Sequence, residues 1–527
     1  MKPARPIVRP GRNAWRQADA VDSGVLVDAA DYYRAFHASA QAARRYVLMS
    51  GWQFDSGVLL LRGDDAPPDA DVRFLHFLNG LCEANPELHV YLLAWDFHVV
   101  LALEREWMQR VYFDWMTNPR FRFLFDDCPV PGGSHHQKFV VVDGTHGYVG
   151  GMDVCESRWD DRRHCGENPV RLARGRRQKP YHDVQAYLAG PDVAGALADL
   201  FWERWHCAGG GEPPTSSTAA GPAPARPRGL LPIGPARVAL SRTQPRTEDD
   251  GVREVEALFV DAIGAAERLV YIETQYFSSR RIREALIERM RRSDGRRLEI
   301  VVVVNQRAEA LKEELAVGLR QAQNLEELRA EAANTGHALG LYYSFCDGVT
   351  DDFRNTYIHS KVLAVDDRFL TVGSANLTNR SMGIDSELHV SWESTGTGRD
   401  DRLIVRAIRR VRVSLLAEHG GLAGVRTVRE LARLDGLVER LDRLATRPDA
   451  RLQRHGPPAP VQAAAMEIVD PEILPFDPDT SPGREFDEPV DEAHAGLLAP
   501  VAEAITALRE LLWPRPEIHL GSGKTRG

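Results

Sequence analysis

The stretches HQKFVVVD (136–143) and HSKVLAVD (359–366) are two copies of one pattern, H-x-K-x4-D, set 223 positions apart. The chain has 17 His in 527 residues and only six Lys, at 2, 138, 179, 312, 361 and 524. One such match arises by chance on the order of 0.01 times, so two in register mark a duplication. The register extends outward: His136, Lys138, Asp143 and Gly150 map onto His359, Lys361, Asp366 and Gly373 at the same offset of 223, and Tyr46 maps onto Tyr271 at nearly that offset. A repeat this long is a whole domain in two copies rather than a solenoid.

Around each copy the same order of elements recurs. Upstream, a helix-like stretch (30–45) leads into YVLMSGWQF (46–54), and HVYLLAW (89–95) precedes the first motif. Downstream, EVEALFVDAIGAAERL (254–269) leads into YIETQYF (271–277), then LEIVVVVN (298–305), then the second motif. Helical periodicity alternating with short β-branched runs predicts α/β units with largely buried sheets. The Gly/Pro-rich stretch 208–236 reads as a linker. It divides the chain into a first half (1–207), a second half (237–448) and an acidic, Pro-containing segment with a terminal helix (449–527).

Composition narrows the function classes. Lys and Arg number 66 against 75 Asp and Glu, a net charge of −9, which argues against a protein that grips nucleic acid through a uniformly basic surface. Six Cys at 82, 128, 155, 165, 207 and 346 form no C-x-x-C pair, so neither a disulfide framework nor a zinc site is expected and a reducing compartment is. The N-terminus shows no apolar core of a signal peptide, and no apolar run of about 18 residues occurs, so neither a Sec signal nor a membrane span is expected. Export by a signal-independent route would leave no such trace. GSGKT (521–525) lacks the first Gly of a phosphate-binding loop, Ile518 standing there, and carries no nucleotide-binding expectation.

The spacing has a chemical use. Residues i and i+2 of a strand share a face, so His136 with Lys138, and His359 with Lys361, each present an imidazole and an ammonium to one place. Asp143 and Asp366 fall at the strand end, where each can anchor the turn or a neighbouring cation. Two imidazoles and two ammoniums suit phosphodiester chemistry: one ring attacks phosphorus, the other protonates the leaving alkoxide, and the cations neutralise nonbridging oxygens, with no metal or cofactor required.

The duplicated H-x-K-x4-D resembles the signature of the phospholipase D superfamily. The resemblance covers residues 30–207 and 237–395 and extends to YVGGMDVCESRWDDRRH (148–164), PYHDVQAYLAGPDV (180–193), FWERW (201–205) and the stretch 355–390. It implies a pseudo-twofold tandem α/β/α sandwich, two mixed sheets flanked by helices, with one active site between the halves. It also implies a phospholipase D or a cardiolipin synthase-like phosphatidyltransferase working through a phosphohistidine. His136 is then the nucleophile and His359 the acid and base, while Lys138 and Lys361 hold the phosphate. Asn376 and Ser374 of GSAN bind it too. Asp153, where the second half has Asn376, takes a supporting role. Asp183 and Glu387 orient the histidines. The implied substrate is a phospholipid met at the membrane surface by a cytoplasmic or peripheral monomer, with water or an alcohol as acceptor. A nuclease and a non-catalytic lipid-binding scaffold are weaker alternatives.

Other residues carry plainer expectations. His135 has the wrong parity for the site and reads as a rim residue. Trp52, Gln53, Gln275 and Tyr276 divide evenly between packing and substrate contact, and Trp159 and Asp160 are weaker candidates for the headgroup site. The helical stretch 307–336 reads as a solvated face. The apolar residues between 497 and 512 read as a core-packing helix.

Overall fold

The computed structural model describes residues 5–478, apart from 69–70, 97–111, 114–115, 128–129, 214–224, 247–250, 294–295, 309–316, 347–353, 448–449, 459–461 and 463–476. Cys128, the helix expected over 497–512, GSGKT and the acidic stretch 466–492, except Asp477 and Pro478, lie outside the described residues.

Each half contributes seven main strands to a mixed sheet, of eight strands in the first half and ten in the second. The first contains β1 (Asp22–Val27), β2 (Tyr46–Gly51), β3 (His89–Trp95), β4 (Phe121–Asp126), β5 (Phe139–Val142), β6 (His146–Gly150) and β7 (Val184–Ala189), in the spatial order β1-β7-β6-β5-β2-β3-β4. The second contains β8 (Ala236–Gln244), β9 (Leu269–Thr274), β10 (Glu299–Val304), β11 (Ala338–Ser344), β12 (Val362–Val365), β13 (Phe369–Gly373) and β14 (Glu387–Glu393), in the matching order β8-β14-β13-β12-β9-β10-β11. The strands β2-β3-β4 and β9-β10-β11 run parallel, and the rest pair antiparallel. Ser50 of β2 lies opposite Phe139, and Glu273 of β9 lies opposite Val362. The offset of 223 therefore holds through these strands, and the counterpart of Tyr46 is Leu269, not Tyr271.

The sheets exchange edge strands across the 208–236 segment. Arg16–Ala20 pairs with β8 of the second sheet, and Leu231–Pro232 pairs with β1 of the first. Leu452–Arg454 extends the second sheet beyond β11.

Burial explains the layers. The helices α1 (Asp28–Ala42) and α2 (Phe74–Ala84) cover the outer face of the first sheet with Tyr32, Phe36, Phe74 and Leu78. The helices α4 (Glu254–Gly264), α5 (Arg280–Arg291) and α6 (Leu319–Thr335) cover that of the second. Contrary to a solvated face, α6 buries Leu319, Leu325 and Leu328, and its Gln321 side chain bonds the backbone of Phe277 and Asn305. The inner faces meet in one continuous core shared with α3 (Pro191–Cys207) and α7 (Arg399–His419), to which Leu48, Val149 and Leu188 contribute from one half and Tyr271, Val372 and Trp392 from the other. Each fully buried side chain of this kind is worth roughly 1.5–3 kcal/mol, so the halves are held as one body. No helix among the described residues is long and apolar enough to cross a membrane.

Candidate active site

The motif strands start at the seam between the halves. Ahead of β5, Ser134 O accepts Ser386 N–H at 2.8 Å and His136 N–H donates to Ser386 O at 3.0 Å. Ahead of β12, Tyr357 N–H donates to Pro180 O and His359 N–H to His182 O, both at 2.8 Å, within a short parallel pairing of 357–358 with 181–182. Each motif therefore runs beside the segment that precedes the carboxylate strand of the opposite half.

That pairing crosses the orienting contacts. His136 Nδ1 stands 3.0 Å from Glu387 Oε2, and His359 Nδ1 stands 2.6 Å from Asp183 Oδ2. Both carboxylates are fully buried. Val184 N–H donates to Asp183 Oδ1, and a Cβ on Gly151 would lie only 2.6 Å from that oxygen, so the counterpart of Ser374 must be glycine. Neither imidazole has a protein hydrogen bond at Nε2 among the described residues. Burial pushes His359 well below the usual imidazole range, with Lys361 and Arg158 adding to the effect, and pushes Asp183 up to about 7 against the pull of Lys361. Both sides of the 2.6 Å contact thus resist charge.

The cations are unequal. Lys138 Nζ lies 3.2 Å from Asp153 Oδ2 and 3.3 Å from His136 O. Lys361 Nζ donates to His359 O and, at 3.4 Å, to Gln275 Oε1. Asn376 stands where the first half has Asp153, so no matching carboxylate faces Lys361. Burial, reinforced by Lys138 and opposed by Asp183, lowers Lys361 to about 7. Asn376 is buried with its Oδ1 unpaired. The sequence reading missed Arg158. Its guanidinium lies 5.0 Å over the Tyr181 ring, whose centroid is 5.3 Å from that of His359, and its charge acts on His359, Asp183 and Lys361. It sits one residue before Trp159 and Asp160.

Several expected site residues sit elsewhere. Asp143 and Asp366, grouped with the catalytic set, stand at the far ends of the motif strands with φ of 52° and 54°. Asp143 accepts the N–H groups of Arg44, Arg45 and Tyr46, and Asp366 those of Glu267, Arg268 and Leu269. They fasten the entries of β2 and β9, at the ends of the motif strands away from the histidines. Asp366→Ala leaves three N–H groups without an acceptor and is expected to cost roughly 2–4 kcal/mol. Denaturant unfolding should show that loss, with kcat of the folded fraction retained. Ser374, expected on the phosphate, donates its hydroxyl to Glu387 Oε2 and accepts Leu388 N–H, so it positions the carboxylate instead. His135 is buried, not at a rim, with Nδ1 3.0 Å from Ser386 Oγ and Nε2 2.9 Å from Asp127 O. Trp159 is buried under Arg62, and Asp160 bonds Arg171, His164 and Tyr181 N–H, so neither faces the histidines.

The family model described as "Cardiolipin synthase, PLD-like domain" matches residues 259–401. Phospholipase D A of Dictyostelium discoideum is 25% identical over 480 residues, covering 78% of this chain and 36% of that protein. Cardiolipin synthase A of Pseudomonas entomophila is 27% identical over 255 residues, covering 48% of this chain and 43% of its own. Among solved structures, phosphatidylserine synthase of Haemophilus influenzae Rd KW20 aligns over 81% of this chain and 94% of its own, at 16% identity and a TM-score of 0.49. The chain spans 36% of the Dictyostelium protein and 58% of phospholipase D alpha 1 of Carica papaya, under two thirds of either. With two H-x-K-x4-D copies brought to one seam, the chain is similar in sequence to phospholipases D and to cardiolipin synthase.

Proposed function

We propose that the chain is a phospholipase D-type phosphodiesterase that hydrolyses or exchanges the headgroup of a glycerophospholipid through a phosphohistidine. The observation that carries this reading is the pair of imidazoles from opposite halves, each fixed at Nδ1 by a buried carboxylate with Nε2 turned from protein partners. In the first displacement, His136 Nε2 bonds to phosphorus as the headgroup oxygen leaves and takes a proton from His359. In the second, His359 removes a proton from water or an alcohol, whose oxygen displaces His136. Lys138, Lys361 and Arg158 neutralise the nonbridging oxygens, with Asn376 as a further donor. One observation favours the reverse assignment of the two histidines: burial keeps His359 neutral, the form that attacks.

Each half, 1–207 and 237–448, contributes one motif in this reading. The enzyme acts as a monomer that meets the bilayer peripherally in a reducing compartment. The test is turnover of labelled phosphatidylcholine and phosphatidylglycerol vesicles, with and without a primary alcohol. Phosphatidic acid, diverted to the phosphatidyl alcohol when alcohol is present, is the expected product. A dimeric phospholipid would instead mark a cardiolipin synthase-like transferase, and cleavage of DNA with inert lipids a nuclease. His136→Ala and His359→Ala should each lower turnover at least ~10³-fold. Retained turnover in either variant sinks the proposal, and mass-spectrometric mapping of the trapped phosphohistidine identifies the attacking ring.

A further inference from the structure

The halves differ most between the site glycine position and the orienting carboxylate. Gly151 and Asp183 stand 32 positions apart, whereas their counterparts Ser374 and Glu387 stand 13 apart. The extra chain carries Asp160, Arg162, His164 and Arg171 to the seam between the halves. There His164 meets Asp28 at the start of α1, His182 immediately before Asp183, and Glu418 at the end of α7, all buried.

We propose that Asp28, His164, His182 and Glu418 bind a divalent cation of the zinc class. His164 Nε2 lies 3.0 Å from Glu418 Oε1 and 3.4 Å from Asp28 Oδ2. His182 Nδ1 lies 2.8 Å from the same Glu418 oxygen and 3.3 Å from Asp28 Oδ1. A tetrahedral zinc ion with ligands at ~2.0–2.1 Å spaces its ligand atoms by roughly 3.3–3.4 Å; the two separations to Asp28 match that edge, and the two to Glu418 are shorter and would open on binding. The opposite nitrogens are held as metal-bound imidazoles require. His164 Nδ1 is 2.9 Å from Asp160 Oδ2 and His182 Nε2 is 3.0 Å from Glu273 Oε2, each carboxylate fixing the tautomer that turns a lone pair inward. Behind them, Arg171 bonds Asp160 and Arg162 bonds the remaining oxygen of Glu418.

The competing occupant is a pair of protons. Two imidazoliums carry the same charge as two neutral imidazoles and one divalent cation, so charge does not choose between them. Asp28 does. Its Oδ2 is buried, lies 3.4 Å from His164 Nε2, and has no hydrogen-bond partner. A cation supplies that partner, whereas the proton-only arrangement leaves the oxygen with only the 3.4 Å approach of His164 Nε2, whose nearer acceptor is Glu418 Oε1. The ion would join α1, the extra segment, the strand before Asp183 and α7, fastening both halves next to the carboxylate that holds His359. The inference does not depend on the reaction proposed above.

The test uses the full chain, purified without metal-affinity chromatography and dialysed before elemental analysis. About one zinc-class ion per chain is expected, with a thermal midpoint that falls on chelation and returns on adding zinc. Cobalt loaded after chelation should give the visible absorption of a four-coordinate ion. His164→Ala and Asp28→Asn should lower the metal-to-chain ratio at least tenfold. Because these substitutions lie in a buried cluster, the unaltered chain is decisive. A metal-free protein whose midpoint ignores both chelator and zinc overturns the proposal, as does a folded His164→Ala protein that keeps a full equivalent.

Discussion

Glu387→Gln is expected to lower kcat by roughly 10²–10⁴ and to act on His136, the histidine of the other half, while Asp183→Asn does the same through His359. The amides preserve shape but offer Nδ1 the wrong partner and no longer stabilise the cationic ring. The contacts are 3.0 Å for His136 with Glu387 and 2.6 Å for His359 with Asp183. With His136 as nucleophile, Glu387→Gln should slow formation of the phosphohistidine. Asp183→Asn acts on the ring that is acid in the first stage and base in the second, so it should slow both stages with a native headgroup, and breakdown alone with a leaving group that needs no proton. An aryl phosphodiester, whose leaving group needs no proton, should give Asp183→Asn a burst of released phenol and leave Glu387→Gln slow from the start. The same pattern with the two variants exchanged would assign attack to His359. Equal slowing of both stages in both variants on the aryl substrate would break the link between each carboxylate and one ring. Neither half contains a histidine together with its own carboxylate, so the smallest complete catalytic unit is both halves.

This crossing could not be read from the sequence, though much around it could. The motifs, their i,i+2 geometry and the α/β order were legible because strand periodicity is local and the second copy repeats it. Asp183 and Glu387 were legible as carboxylates needed by histidines. Which histidine each serves depends on the parallel pairing of segments about 180 and 250 positions apart, which no local pattern encodes. Parity placed His135 away from Lys138, but away from the site proved to mean into the seam, because the opposite half covers that side. Ser374 looked like a phosphate ligand because its neighbours did, and its hydroxyl instead found the nearest buried acceptor. Matching Tyr46 to Tyr271 followed residue identity, whereas strand register put Leu269 at that position. The cluster at Asp28, His164, His182 and Glu418 spans most of the chain and has no spacing for a sequence reading to find.

Lys361→Met should abolish turnover and yet stabilise the fold. Burial lowers this lysine from 10.5 to about 7, so the folded state holds its proton more weakly than the unfolded chain does. The sign follows from linkage. Below about pH 7 the lysine is charged in both states, and the folded protein bears the full cost of the buried ammonium. Between about 7 and 10.5 the folded state releases the proton first, and the cost fades as pH rises. Methionine removes that cost but leaves His359 O and Gln275 Oε1 without their donor, so a net gain of roughly 1–4 kcal/mol is expected at low pH, vanishing toward pH 10.5. Denaturant unfolding of both proteins across this range measures it, and a pH-independent difference would contradict the assignment. Lys138→Met should move stability the other way, by roughly 3–5 kcal/mol, because it strands the buried carboxylate of Asp153. An anionic phosphate arriving at the site adds to the counter-charge that Asp183 and Glu387 supply, so binding should draw a proton onto Lys361 and kcat/KM should fall above about pH 7. In the proposed reaction the anionic substrate would offset the cost of that buried ammonium, and Asn376, unlike an aspartate, would leave the charge available to the phosphate.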